Sequence, residues 1–285
     1  MKIELAESAG FCFGVKRAID AVYNLLEEGR NVCTLGPIIH NEQVVEDLEK
    51  RGVRVISDVE THAEELSGEE KDIVVIRSHG VPKQVIDELE RADVPYEDAT
   101  CPFVKKIHKT VSEYSRKGYE IVIIGNEAHP EVQGILGWTC GRGHVIETRE
   151  DAEHFSPENP AHKVCIVAQT TFNYKKFQDL VEILSKKGYD ILAVNTICNA
   201  TSTRQEEAEK LAARSDAMLV IGGKHSSNSR KLYEICKNQC ENTFFIQTVD
   251  DLSSISLGSF TSLGITAGAS TPNTIIQEVL KACQI

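Results

Sequence analysis

The amino-acid sequence predicts an α/β protein of three pseudo-repeated modules, each with a mainly parallel sheet. Three observations carry that prediction. Short apolar runs such as Ile73–Ile76 alternate with longer stretches whose apolar residues recur at helical spacing. A cysteine precedes a glycine at one fixed separation three times, as Cys12 and Gly36, Cys101 and Gly125, Cys198 and Gly222. A polar residue then follows each glycine at the same offset: His40, His129 and Ser226. Alternating strands and helices give a parallel sheet covered by helices, and self-similarity at a fixed period marks a repeated unit.

The repeat divides the 285 residues at 1–96, 97–193 and 194–285. Modules this small bury only modest cores alone and are expected to lean on one another. In the first, a strand at 2–6 leads to Cys12, and a helix follows with Val15, Ala18, Ile19, Val22 and Leu25 on one face, stopped by Gly29. Val32–Leu35 is the next strand, His40 and Asn41 open a second helix, and 53–56 is a strand before an acidic polar run at 57–70. The buried strand Ile73–Ile76 ends at Arg77-Ser78-His79-Gly80. Pro82 then opens a helix through Leu89, because its missing N–H costs nothing in a first turn.

The second module repeats the plan. Tyr96–Asp98 leads to Cys101, Pro102 starts a helix that Gly118 stops, and the strand at 121–124 precedes a helix after His129-Pro130-Glu131. A strand at 145–146, a polar run at 147–162, a strand at 163–168 ending in Gln169-Thr170-Thr171 and a helix at 174–187 complete it. In the third, a strand at 191–194 leads to Cys198, with a helix at 204–213 and a strand at 218–221 before Gly222-Gly223. Ser226, Ser227 and Asn228 precede a helix through Cys236. A strand at 244–246, a polar loop at 247–259, a strand at 263–266 and a last helix opened by Pro272 close the chain. Every polar residue named here lies just past a strand end, where open α/β sheets bind ligands.

The formal net charge of −12 disfavours a nucleic-acid partner, which needs a basic face. It leaves room for a small anion held by local donors. The segment 2–7 is too short and too charged for a signal core, and no run approaches the ~18 apolar residues of a membrane span. No membrane partner is expected. Nine cysteines without a secretory signal point to the reducing cytoplasm, and to metal or redox chemistry rather than disulfides.

A single cysteine is most simply a small buried apolar residue, and Cys33 and Cys165, inside apolar strands, read that way. Cys236 and Cys240 stand one helical turn apart only if that helix continues. Cys12, Cys101 and Cys198 differ, because their matched positions suggest one shared site. Three thiolates fit a catalytic zinc with an open position, and equally a 4Fe-4S cluster with one iron left free. His40, His79 and His129, with Thr170, Ser226, Ser227, Asn228 and Ser270, stand between strands and helices. Free N–H groups at helix starts and polar side chains there make a cradle for phosphate. Helix capping explains a single Ser or Asn as well, although His is not a leading cap residue. Glu131, two residues past His129, is either a proton donor or an ordinary acid in a first helical turn.

These motifs, from Gly10-Phe11-Cys12-Phe13-Gly14 through Ser78-His79-Gly80, Ala99-Thr100-Cys101-Pro102, His129-Pro130-Glu131, Gln169-Thr170-Thr171 and Ser226-Ser227-Asn228-Ser229 to Thr266-Ala267-Gly268-Ala269-Ser270, resemble the LytB/IspH family of 4-hydroxy-3-methylbut-2-enyl diphosphate reductases. The likeness runs in order through nearly the whole chain. It implies a cloverleaf of three modules around a central iron–sulfur site, each giving one cysteine. It implies reductive dehydroxylation of the allylic diphosphate to isopentenyl and dimethylallyl diphosphate, the last step of the non-mevalonate pathway. By the same resemblance, Cys12, Cys101 and Cys198 hold a 4Fe-4S cluster with one open iron position. His40, His79, His129, Ser226, Ser227, Asn228 and Ser270 bind diphosphate, Thr170 lies by the substrate hydroxyl, and Glu131 supplies the proton. Reduced ferredoxin or flavodoxin is the implied electron donor. Some members carry a Tyr after the third cysteine, where this chain has Asn199. The competing readings are a zinc hydrolase of a phosphorylated substrate and a non-catalytic iron–sulfur carrier or sensor; a phosphate cradle argues against the carrier.

Overall fold

The computed structural model describes residues 1–62, 66, 72–159 and 163–284, so parts of the expected polar runs at 57–70 and 147–162 lie outside the described residues. The described strands form three parallel sheets of four. The first contains β2 (Val32–Leu35), β3 (Arg54–Ile56), β4 (Ile73–Ile76) and β5 (Tyr96–Asp98), in the order β3-β2-β4-β5. The second contains β6 (Glu120–Ile124), β7 (Gly143–Ile146), β8 (Val164–Ala168) and β9 (Ile191–Ala193), in the order β7-β6-β8-β9. The third joins β10 (Ala217–Ile221), β11 (Thr243–Ile246) and β12 (Ser262–Ala267) to the first strand of the chain, β1 (Lys2–Leu5), in the order β11-β10-β12-β1. The inner strands β4, β8 and β10 are buried at every position. Their unbroken apolar content is that of strands covered on both faces.

The three sheets share one order, and in each the edge strand leads into a cysteine. β5 pairs with β4 and leads to Cys101; β9 pairs with β8 and leads to Cys198. β1 leads to Cys12, yet its partner is β12, with Lys2 opposite Ser262 and Leu5 opposite Ile265.

Among the described residues the helices are α1 (Phe13–Glu27), α2 (Glu42–Lys50), α3 (Lys83–Arg91), α4 (Pro102–Arg116), α5 (Pro130–Leu136), α6 (Arg149–His154), α7 (Tyr174–Ser185), α8 (Asn199–Ala212), α9 (Ser227–Gln239) and α10 (Asn273–Cys283). Two differ from the sequence expectation. α8 starts at Asn199 rather than 204, because Thr201, Arg204, Gln205 and Ala208 are buried together and packing outweighs the weak propensity of Asn, Thr and Ser. α6 lies inside the expected polar run, held by a capping box between Thr148 and Asp151. Two short 3₁₀ turns, Val249–Ser254 and Leu257–Ser259, occupy the expected loop at 247–259.

Contacts divide the chain into two units. One comprises Met1–Lys16, Ile39–Leu48 and Cys198–Ile285; the other comprises Arg17–Ile38 and Glu49–Ile197. In the first unit, two apolar clusters cover the third sheet: Leu219, Ile265, Ile276 and Val279 in one, Val220, Leu211, Leu232 and Cys236 in the other. The second unit holds the other two sheets. Val74, Ile76 and Leu89 centre one cluster, and Ile121, Ile123 and Val167 face another built on the opposite side of the second sheet from Val122, Ile124 and Ile166.

Candidate active site

In the first unit, the loop after β1 is held from α8. The Cys12 N–H donates to Ala269 O at 3.2 Å, and its carbonyl accepts from Lys16 N at 2.9 Å, so the thiol stands at the head of α1. Cys198 is the N-cap of α8. From that helix, Arg204 donates Nε and Nη2 to Ser8 O at 2.9 and 2.6 Å, and Nη2 to Gly10 O at 2.9 Å. Gly10, at φ +101°, takes a turn that few other residues adopt. Glu207 completes the clamp by accepting the Glu7 and Ser8 N–H groups at 2.6 and 2.9 Å. Burial holds Arg204 below the usual guanidinium pKa, and the nearby Cys12 and Cys198 sulfurs oppose that shift. Sequence reasoning missed Arg204 and Glu207. The available signal was a charge at the position of Arg204 in the stripe of Ala208 and Leu211, where a helix presents its buried face.

The same unit gathers five of the expected phosphate-binding residues: His40, Ser226, Ser227, Asn228 and Ser270. Ser270 Oγ donates to His40 O at 3.1 Å and lies 3.5 Å from Ser226 Oγ. Ser226 Oγ accepts from Ser229 N at 3.3 Å and so caps α9. Capping therefore accounts for Ser226 in part. It does not account for Asn228, which is 4% exposed and whose amide oxygen and nitrogen take no hydrogen bond from the described residues. Leaving such groups unpaired costs about 1–3 kcal/mol, which a polar ligand recovers. Ser227 is half-buried beside it. A side chain at Gly222 or Gly268 would collide with Ser229 Oγ, so both glycines are needed for this close packing.

In the second unit, Cys101 caps α4, and its N–H donates to Ser78 O at 3.0 Å, joining it to the turn that carries His79. Arg17 donates to Thr100 O at 3.0 Å and to Asp98 O at 3.1 Å, holding the same turn from α1. The His79 and His129 rings meet edge to face at 5.5 Å. His129 Nδ1 accepts from Glu131 N at 3.1 Å, so this histidine is a helix cap after all, and its neutral ring carries the proton on Nε2. Glu131 is 2% exposed. Its Oε1 accepts from Thr170 N at 2.5 Å and its Oε2 from Thr170 Oγ at 2.7 Å. No cation pairs with it among the described residues. Burial pushes its pKa up to about 7, although both Thr170 hydrogen bonds oppose the rise. A carboxyl titrating near neutrality gives and takes a proton at working pH.

The other cysteines separate by environment. Cys33, Cys165, Cys236 and Cys240 are buried. Burial pushes Cys165 to about 11 and Cys236 to about 12, which keeps both as thiols. Cys236 and Cys240 donate to the Ala208 and Ser215 carbonyls rather than to a common centre. Cys140 is exposed and Cys283 half-buried, whereas Cys12, Cys101 and Cys198 are half-buried at helix heads.

A separate cavity of about 740 Å³ in the second unit is lined by Val81, Ile86, Trp138 and the α4 residues Lys105, Lys109 and Arg116, with none of the expected site residues in its wall. His108 stacks on Trp138 there at 5.2 Å, and burial lowers its pKa to about 4.

The chain is similar to known proteins over its full extent. A 4-hydroxy-3-methylbut-2-enyl diphosphate reductase of Caldanaerobacter subterraneus subsp. tengcongensis is 47% identical over 283 residues, 99% of this chain and 96% of the relative. One of Clostridioides difficile is 46% identical over 281 residues, 98% of each chain. A solved structure of (E)-4-hydroxy-3-methyl-but-2-enyl diphosphate reductase, described as the terminal enzyme of the non-mevalonate pathway, has 43% identity and a TM-score of 0.71, covering 99% of both chains. The Plasmodium falciparum E-1-hydroxy-2-methyl-but-2-enyl-4-diphosphate reductase gives a TM-score of 0.91 at 28% identity, over 98% of this chain and 87% of that one. With the LytB protein family model matching residues 3–284, this chain belongs to the LytB family.

Proposed function

We propose that this chain reduces 4-hydroxy-3-methylbut-2-enyl diphosphate to isopentenyl and dimethylallyl diphosphate, using a 4Fe-4S cluster held by Cys12, Cys101 and Cys198. The overall change replaces an allylic hydroxyl: two electrons and two protons enter, and an alkene and water leave. The observation that carries this reading is the Glu131 carboxyl, buried without a cation and titrating near 7 beside the Thr170 hydroxyl. The relatives at 46–47% identity bear the same activity in their names.

The donor set fits such a cluster. The three thiols are soft ligands, free of disulfides and half-buried at helix heads. Each follows the edge strand of a different sheet. When bound, the cluster supplies electrons one at a time and Lewis acidity at an iron that no cysteine occupies.

The protein does the rest. His40, Ser226, Ser227, Asn228 and Ser270 hold the diphosphate together with His79 and His129, whose Nε2–H donates. This anchoring orients the allyl group, and orientation removes part of the entropic barrier. Glu131 passes its proton to the leaving hydroxyl, so that water rather than hydroxide departs. Thr170 steadies the carboxyl and meets the substrate hydroxyl. Reduced ferredoxin or flavodoxin is the proposed donor, and the reducing cytoplasm the proposed compartment.

The test is anaerobic purification followed by iron and sulfide analysis and turnover with an artificial one-electron donor. Equal iron and sulfide with reductive turnover supports the reading. Zinc in place of iron, or a cluster with no turnover of the allylic diphosphate, ends it.

A further inference from the structure

We propose that the exposed face of α4, running from Cys101, is the docking surface for an acidic protein that carries electrons. This rests on the reductase reading, whose two electrons come from outside the chain. Three observations on the second unit converge.

The first is charge. α4 with its C-cap carries Lys105, Lys106, Lys109, Arg116 and Lys117 against one carboxylate, Glu113, in a chain of net charge −12. Lys105 pairs with Asp98 at 2.6 Å and Lys117 with Glu113 at 2.6 Å. Lys106, Lys109 and Arg116 are exposed and form no ion pair among the described residues. Lys106, Lys109, Glu113 and Arg116 recur three or four residues apart, so they share one stripe of the helix.

The second is apolar exposure. Phe103, two residues past Cys101, is 46% exposed, one of few large apolar side chains left in water. The third is shape. Lys105, Lys109, Arg116 and Lys117 outnumber the carboxylates Asp98 and Glu113 around the cavity of about 740 Å³ that Trp138, Val81 and Ile86 also line. An apolar recess with a charged rim is the usual anatomy of a protein interface.

The net field of the chain repels an acidic protein at a distance. A local cationic stripe then selects orientation as well as partner, since charge complementarity acts mainly on encounter and register. The cavity wall also includes Asp98 and Thr100, which precede Cys101, so a carrier seated there reaches the turn that holds it.

The experiment measures binding of an acidic ferredoxin to the cluster-loaded protein by calorimetry at low and high salt. An acidic flavodoxin serves as a second probe. In K106E/K109E the Kd for ferredoxin is expected to rise about tenfold and its salt dependence to flatten. F103A, which changes no charge, is expected to weaken binding without altering the salt slope. K210E/K237E makes the same charge change in the other unit and is expected to leave the Kd nearly unchanged. Turnover with ferredoxin should fall in K106E/K109E while turnover with a reduced viologen is kept. An unchanged Kd in K106E/K109E, or an equal loss in K210E/K237E, overturns the proposal. Loss of viologen-driven turnover in the unmodified protein would count against the reductase reading instead, and the binding data would still decide the docking surface.

Discussion

At the scale of single residues, Glu131 is set where ionisation is costly. Its carboxylate accepts from the Thr170 N–H and hydroxyl, and burial outweighs both. The folded state therefore keeps a proton that the unfolded chain releases near 4.5. A raised carboxyl pKa contributes stability below the unfolded value, and that contribution fades as pH climbs through the folded value near 7. At about 1.4 kcal/mol per pH unit, the loss across that window is roughly 3 kcal/mol. Glu131→Gln should remove this decline in urea titrations between pH 4.5 and 8, while cutting turnover about 10²–10⁴-fold and sparing iron content. Near-normal turnover in that variant would take Glu131 out of the mechanism. Arg204→Met leaves the Ser8 and Gly10 carbonyls without their donor. It should cost about 2–3 kcal/mol in denaturant unfolding and lower the iron retained after anaerobic purification. Unaltered iron content would reduce Arg204 to a structural residue. The chain alone suggests the loss of turnover in Glu131→Gln, but the pH dependence and the role of Arg204 rest on burial and on partners distant in sequence.

Among the elements, the helix heads recur as the working positions. Cys101, His129, Ser226 and Cys198 are all N-caps, and Cys12 immediately precedes α1. A helix start leaves N–H groups unsatisfied and carries a partial positive charge, which suits thiolates and phosphates alike. The repeated cysteine-to-glycine spacing made these positions legible. Less legible was α6, whose capping box hides in a run of charged residues with no apolar stripe. Thr148→Ala should lower stability by about 1 kcal/mol through loss of that cap, read as a small shift of the thermal midpoint. No shift would mean that α6 does not form cooperatively with its sheet. The start of α8 is hidden for a related reason: Asn199, Thr201, Ser202 and Thr203 are poor helix formers, and only burial of Thr201 and Arg204 shows why they are helical.

Taken as a whole molecule, the chain closes its last sheet with its first strand. Ladder bonds tie β1 to β12, and Ala6 N donates to Ile265 O at 2.8 Å. The loop to Cys12 is then clamped by Arg204 and Glu207. Removing residues 1–6 should strip this edge, lower the thermal midpoint of the first unit and reduce iron retention, although no catalytic group is deleted. Retention of both properties would show that β1 is dispensable for holding Cys12.

Periodicity, turn chemistry and a threefold spacing by themselves determined the α/β class, nearly every strand and the set of residues worth examining. Those signals are local, since each depends on neighbours a few positions apart. Tertiary structure alone decided that β1 belongs with β12, that Arg204 reaches the Cys12 loop, and that Glu131 is sealed from water with Thr170. Strand partnership, buried charge and a raised carboxyl pKa arise from groups far apart in the chain. No window of sequence holds both members of such a pair.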